Sequence, residues 1–198
     1  ATCGCDLTPG SVCDPCGVCG GSNSTRDCAG VCFGSAVVDD CGVCAGGTTG
    51  LIVNADNSPS NIFHIDLATG TASQLTEALN PEIDPEHLVV SEVVRYPSFD
   101  GGEIPSILCK PHGASAENKA PALVLVHGGP GGQTRTGYRA MVQHLANHGY
   151  AVLGANNRGS SGYGKTFFHM DDKRHGEDDL QDIVRGRKYL ESLDWVDA

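Results

Sequence analysis

The residues best placed to do chemistry are His127, Gly128 and Gly129, in the stretch PALVLVHGGPGGQ at positions 121–133. In acyl transfer the attacked carbonyl becomes tetrahedral and its oxygen becomes an anion, which needs donors already in place. A backbone N–H can serve only where the chain comes very close to the substrate. Cβ atoms obstruct that approach, so glycines at the end of a strand suit the task. The plainer alternative is that the glycines merely turn the chain, and a short motif remains a hypothesis until its context appears.

The surrounding pattern supplies elements that would hold such a loop. Leu123–Val126 is a short continuous apolar run ended by glycines, as in a central strand buried on both faces of a mostly parallel sheet. YRAMVQHLANHGY follows as a helix with Met141, Val142, Leu145 and Ala146 on one face and Gly149 as its stop. YAVLGANNRG reads as a second buried strand. GEDDLQDIVRGRKYLESL reads as a second helix, its apolar face drawn through Leu180, Ile183, Val184, Arg187 and Leu190, with acids in the first turn where the helix dipole favours them. Alternating strands and helices predict an α/β layer architecture.

Upstream, EVVRYPSFDGGEIPSILCKP predicts two strands around the FDGGE turn, with Cys109 a small buried hydrophobe in the second. NPEIDPEHLV, with two prolines, predicts a linker. NIFHIDLATGTASQLT alternates, with Phe63, Ile65 and Leu67 on one side, and turns at ATG into a return strand. A lone hairpin is marginal in water and needs a neighbouring sheet. His64 and His87 are read as ordinary strand and loop residues.

Nine of the ten cysteines lie between Cys3 and Cys44, which marks a domain boundary by composition. DPCGVCGG, DCAGVCFG and DCGVCAGG form an irregular repeat of an acidic residue, a cysteine pair and a glycine turn. With Phe33 its sole aromatic, this segment lacks the apolar surface to offset its chain entropy, so cross-links must hold it. Disulfides among Cys3, Cys5, Cys13, Cys16, Cys19, Cys28, Cys32, Cys41 and Cys44 are favoured over zinc, because no histidine falls there and the cysteines do not group in fours. The odd count leaves one thiol over, and connectivity stays open. Asn23-Ser24-Thr25 is a glycosylation sequon, and the segment is read as a solvated stalk.

Lys and Arg total 13 against 24 Asp and Glu, a net charge of −11, which argues against nucleic acid and anionic membrane partners. No apolar run approaches a bilayer span. No cofactor or metal is expected, since the second half shows no Asp/His/Cys cluster at ligand spacing. His144 and His148 are assigned solvated or packing roles, and His169 and His175 flank a surface loop.

HGGPGGQ, NNRGSSGYGKTF and HGEDDLQDI, in that order and spacing, closely resemble the catalytic domain of prolyl oligopeptidase-family serine peptidases, in the acylaminoacyl-peptidase and dipeptidyl-peptidase-like branch. The resemblance runs from about Leu51 to Ala198, because the family also carries an N-terminal β-propeller ending in such a hairpin and linker. It implies a partial α/β-hydrolase sheet preceded by a β-hairpin propeller remnant and a cysteine-rich, loop-dominated segment. The expected divisions are 1–49, the cysteine-rich repeats; 50–91, the hairpin remnant and linker; and 92–198, the N-terminal half of the peptidase domain. The cysteine segment itself resembles the CGVCGG repeats of extracellular multidomain proteins, which implies a secreted or envelope-exposed location.

In the family, one oxyanion donor comes from this loop and one N–H lies beside the nucleophile. A tyrosine replaces the loop donor in some branches, at the place of His127. His127 and the backbones of Gly128 and Gly129 are therefore the oxyanion-hole candidates. Arg158 is expected to brace the loop after the strand, and Tyr163 to pack it.

The nucleophile elbow G-x-S-x-G is absent from these 198 residues; GSSG (159–162) comes nearest, with Tyr163 where the last glycine belongs. The family order Ser…Asp…His places the triad downstream of Ala198. The expectation is a peptidase of short peptides acting through an acyl-enzyme, represented by an inactive and poorly stable fragment, its oligomeric state open. One rival is a cysteine-rich binding or adhesion protein with a non-catalytic hydrolase-like scaffold. Another is an unnatural join near Gly50.

Overall fold

The computed structural model describes residues 37–38, 44–45, 48–66, 69–129 and 131–197, with backbone alone at 37–38, 44–45 and 48–49. The disulfide expectation at Cys3–Cys44 lies outside the described side chains. The described residues divide into two compact units, those within Ala1–Val53 and Asn61–Glu77, and those within Asn54–Ser60 and Ala78–Ala198.

In the first unit, β1 (Val37–Val38) pairs antiparallel with β2 (Cys44–Ala45). A three-stranded sheet follows in the order β3 (Thr48–Ala55), β4 (Ser58–Asp66), β5 (Ala72–Gln74), of which the β3–β4 tip, Asn54–Ser60, counts with the second unit. The register Phe63↔Gln74, His64↔Ser73, Ile65↔Ala72 makes the expected return strand. Its turn closes through Gly70 N–H to Asp66 O at 2.7 Å and Asp66 N–H to Thr71 O at 3.0 Å.

The second unit is a partial α/β-hydrolase sheet. After a 3-10 turn at Pro85–His87, capped by Asp84, come β6 (Ser91–Pro97) and β7 (Glu103–Cys109), antiparallel around the FDGGE turn. β8 (Ala120–Val126), helix α1 (Ala140–Asn147) and β9 (Ala151–Ala155) make a parallel crossover unit. Helices α2 (Lys165–Phe168) and α3 (Asp178–Glu191) precede β10 (Val196–Asp197), which pairs parallel with the start of β8. The order is β10-β8-β9-β7-β6.

Helices cover both faces of the sheet. On one, Tyr96, Ile104, Leu108 and Leu153 pack with Leu190 of α3, edged by Trp195. On the other, Val89, Cys109 and Val152 pack with Val142 and Ala146 of α1. β9 is buried along its whole length. β8 departs from the expectation of burial on both faces, because Leu123 is 40% and Val126 47% exposed. Ala122 and Val124 pack toward α3 and Leu125 toward α1. Eight-residue α1 spans about 12 Å, and Leu123 lies outside the cluster it covers. Ala151–Leu153, by contrast, are buried.

Both helical faces also differ from the apolar count. In α3 the buried positions are Asp182, Gly186 and Leu190, while Leu180 and Val184 are exposed. A Cβ at 186 would lie 2.9 Å from the Tyr96 hydroxyl, so this glycine lets α3 approach the sheet. In α1 Met141 is exposed and Gln143 is buried. Gln143 Nε2 donates to Asp56 O (2.7 Å) and Val89 O (2.8 Å), and its Oε1 accepts from Val89 N–H (2.9 Å). A buried polar side chain survives where its hydrogen bonds are complete.

Candidate functional site

β8 and β9 run parallel with Val126 beside Ala155, so the segments that follow them emerge at the same end of the sheet. In open α/β sheets the carboxyl ends of the strands are where ligands bind. The first segment carries His127, Gly128 and Gly129; both glycines are exposed, and Gly129 has φ +73°. That left-handed conformation is one a side chain disfavours, and it turns the chain while leaving the approach to its backbone open.

The His127 ring is half-buried and turned toward the second segment, with Nε2 2.9 Å from Ser160 Oγ. Ser160 is fully buried, and its hydroxyl donates to Asn157 O at 2.6 Å. Its proton is thus committed, so His127 Nε2–H is the donor in the pair. Ser160, in the GSSG stretch, is a bracket for the loop and not an exposed nucleophile. The ring of His127 is occupied there, leaving the Gly128 and Gly129 backbone as the accessible part of the motif.

Further bonds tie the two segments. Ser161 N–H donates to Gly132 O at 2.9 Å. Asn156 is fully buried; its Oδ1 accepts from Thr134 N–H (2.7 Å) and its Nδ2 donates to Thr134 O (2.9 Å) and to the Tyr163 hydroxyl (2.8 Å). Tyr163 stacks edge-on to Phe167 with centroids 5.6 Å apart.

Beneath the second segment, Arg158 makes a two-pronged contact with Asp182. Its Nε reaches Oδ2 and its Nη2 reaches Oδ1, both at 2.9 Å, while its backbone N–H also donates to Oδ2 at 2.9 Å. Ser98 Oγ donates to the same carboxylate. Asp182 is fully buried and the Arg158 side chain is 5% exposed. Asp100, at the surface, adds an ion pair at 3.1 Å, and Phe99 lies under the guanidinium, 4.8 Å from ring centroid to carbon. The hydrogen bond to Asp182 outweighs burial and pushes the Arg158 guanidinium further up from its already high value. Such forked Arg–carboxylate pairs combine strength with fixed orientation.

The tip of the β3–β4 hairpin belongs to this same unit. Asp56 accepts from Ser91 Oγ (2.6 Å), Ser91 N–H (2.9 Å) and Gly137 N–H (2.7 Å). Burial alone would raise its carboxyl; these bonds prevail and hold it below its ordinary value. Cys109 is a free thiol, buried, and pushed up to about 11 mainly by desolvation.

The arrangement can present backbone donors at the end of a rigid sheet. Asp182, Asn156, Ser160, Gln143 and Asp56 escaped the sequence reading as positioning groups. The available signal was a polar residue at a position that helix or strand spacing turns inward. His144 and His148 pack against one another with their rings tilted by 40°, centroids 4.2 Å apart. His169 pairs with Asp172 at 2.8 Å, and His175 lies 3.1 Å from Asp171.

Comparison with known proteins gives one family match: residues 136–198 fit the prolyl oligopeptidase family. The chain is 36% identical over 143 residues to dipeptidyl aminopeptidase BIII of Pseudoxanthomonas mexicana, covering 67% of this chain and 20% of that protein. Among solved structures it resembles acylaminoacyl peptidase of Pyrococcus horikoshii (TM-score 0.64, 27% identity, 82% of this chain and 25% of that one). A puromycin-hydrolyzing peptidase of Mycobacterium tuberculosis shares the fold (TM-score 0.68, 23% identity, 77% and 24%). The chain thus spans about a fifth of the length of the curated relative and a quarter of the solved structures. Residues 136–198, in the second unit, carry the match to the prolyl oligopeptidase family, and over two thirds of its length the chain is similar to a dipeptidyl aminopeptidase.

Proposed function

We propose that the whole protein is a serine-type peptidase that cleaves short peptides through an acyl-enzyme, with this chain supplying the oxyanion side of the site. The observation that carries the reading is the exposed Gly128–Gly129 backbone at the carboxyl end of β8, locked by His127–Ser160 and Asn156–Thr134 to the segment after β9. Preorganised donors of this kind act on charge that develops in the transition state. Arg158 and Tyr163 serve as positioning residues for those segments. The cysteine spacing of residues 1–49 supports a secreted or envelope-exposed location.

These 198 residues contain no G-x-S-x-G, so the chain alone is expected to lack hydrolytic turnover. The test compares this chain with a longer form that continues through a nucleophile elbow, using an activated ester and a dipeptidyl or acyl-aminoacyl amide. Turnover by the longer form alone, abolished by a fluorophosphonate, supports the reading. Fluorophosphonate-sensitive turnover by the 198-residue chain would sink it.

A further inference from the structure

We propose that Asp171, His175 and Asp179 form a site for a divalent transition-metal cation, of the Mn2+ or Zn2+ class, that fastens the 169–176 segment to the first turn of α3. Their ligand atoms lie within 4.8 Å of one another. The sequence reading expected no such cluster, because 171, 175 and 179 meet only once the path of this segment is known.

Asp171 carries the argument. It is 4% exposed, and among the described residues its Oδ2 has no hydrogen-bond partner. A buried carboxylate oxygen left without a donor is costly. That oxygen lies 3.1 Å from His175 Nδ1 without the alignment of a hydrogen bond. Two ligands held about 2.1 Å from one cation at angles of about 90–110° stand about 3.0–3.4 Å apart, so the spacing suits a shared cation. Asp171 also sits where only glycine permits: Gly159 has φ +91°, and a Cβ there would come within 2.1 Å of the carboxylate. Asp179 comes from the helix side, its Oδ1 already accepting from Gly176 N–H at 2.8 Å. Arg174, next to His175 in sequence, is engaged by Glu177 (3.0 Å) and Asp178 (3.2 Å).

Two carboxylates and one neutral imidazole balance a 2+ charge and leave coordination positions for water. Mixed nitrogen and oxygen donors suit first-row divalent ions over Ca2+ or Mg2+. The helix dipole opposes a cation at the first turn of α3, and the two full negative charges outweigh it.

The probe is Mn2+, because the nine cysteines of residues 3–44 would compete for Zn2+. Loss of the free aqueous Mn2+ electron paramagnetic resonance signal is titrated against the full 198-residue chain. One saturable site is expected. Loss of outer partners alone weakens metal sites about 10–100-fold, so His175→Ala and Asp179→Asn should each weaken binding at least about tenfold. His175 is exposed, so its replacement leaves the fold intact, and His169→Ala, on the same segment, should bind as the parent chain does. Absence of saturable binding, or unchanged binding by His175→Ala, would overturn the proposal.

Discussion

Asp182→Ala tests the claim that the Arg158–Asp182 pair organises the second unit. The substitution strands a guanidinium whose side chain is 5% exposed and removes the acceptor of Ser98 Oγ. Removing one partner of a buried ion pair costs about 3–5 kcal/mol, because the remaining charge stays desolvated. Asp100, 39% exposed, retains its contact with Arg158 and relieves part of that, roughly 0–1 kcal/mol. The Tyr96 hydroxyl donates to the backbone oxygen of Asp182 and should be unaffected. A net loss of about 2–5 kcal/mol, with a urea slope of roughly 1–3 kcal/mol per molar, lowers the unfolding midpoint by about 1–5 M. The fluorescence of Trp195, the single tryptophan, follows this unit because the residue packs against its larger core cluster. Arg158→Met with Asp182→Leu should recover much of the loss, since an apolar replacement of both partners carries no stranded charge. A shift below about 1 kcal/mol for Asp182→Ala, or a double variant as unstable as the single, would refute the reasoning.

Further expectations follow from the same contacts. Gly159→Ala should destabilise by at least about 2 kcal/mol, since its φ of +91° is strained for alanine and the methyl collides with Asp171; thermal melting reads this. Asp56, whose folded carboxyl lies below the ordinary 3.8, contributes stability that is present above that pH and is lost as pH falls through its folded value. Amide exchange at Ser91 and Gly137, corrected for intrinsic rate, should therefore accelerate on acidification below pH 4, and Asp56→Asn should remove most of the acid-dependent step. Cys109, held near 11, should resist iodoacetamide at pH 8 in the folded protein and react in urea, as peptide mass spectrometry would show.

Much of the second unit was legible because its elements obey simple periodicities. The FDGGE hairpin, the glycine-stopped strand, the crossover and the acid-started α3 all stand where the sequence puts them. What escaped was which side chains face inward. Counting apolar residues turns Leu180 and Val184 toward the core and Asp182 away from it. The sheet does the reverse, since Arg158 waits beneath position 182 and Tyr96 requires the glycine at 186. Gln143 displaces Met141 for a similar reason: it satisfies both backbone groups of Val89, which no apolar residue can do. The glycines after β8 were recognisable as a place for close approach. The bracket formed by His127 and Ser160 was not, because nothing in their spacing of 33 positions announces it.

Asn156 has a consequence of another kind. Its side-chain amide exchanges hydrogen bonds with both backbone groups of Thr134, so it imitates one more rung of the ladder after β9 has ended. A substitution must keep an acceptor and a donor on the same carbon, at the same reach. Aspartate lacks the donor, glutamine is one carbon too long, and leucine lacks both. In a saturation library scored for folding, position 156 should tolerate a vocabulary of one. Neighbouring Ala155 is constrained only by volume, so the boundary between strand and loop should also divide geometric selection from steric selection.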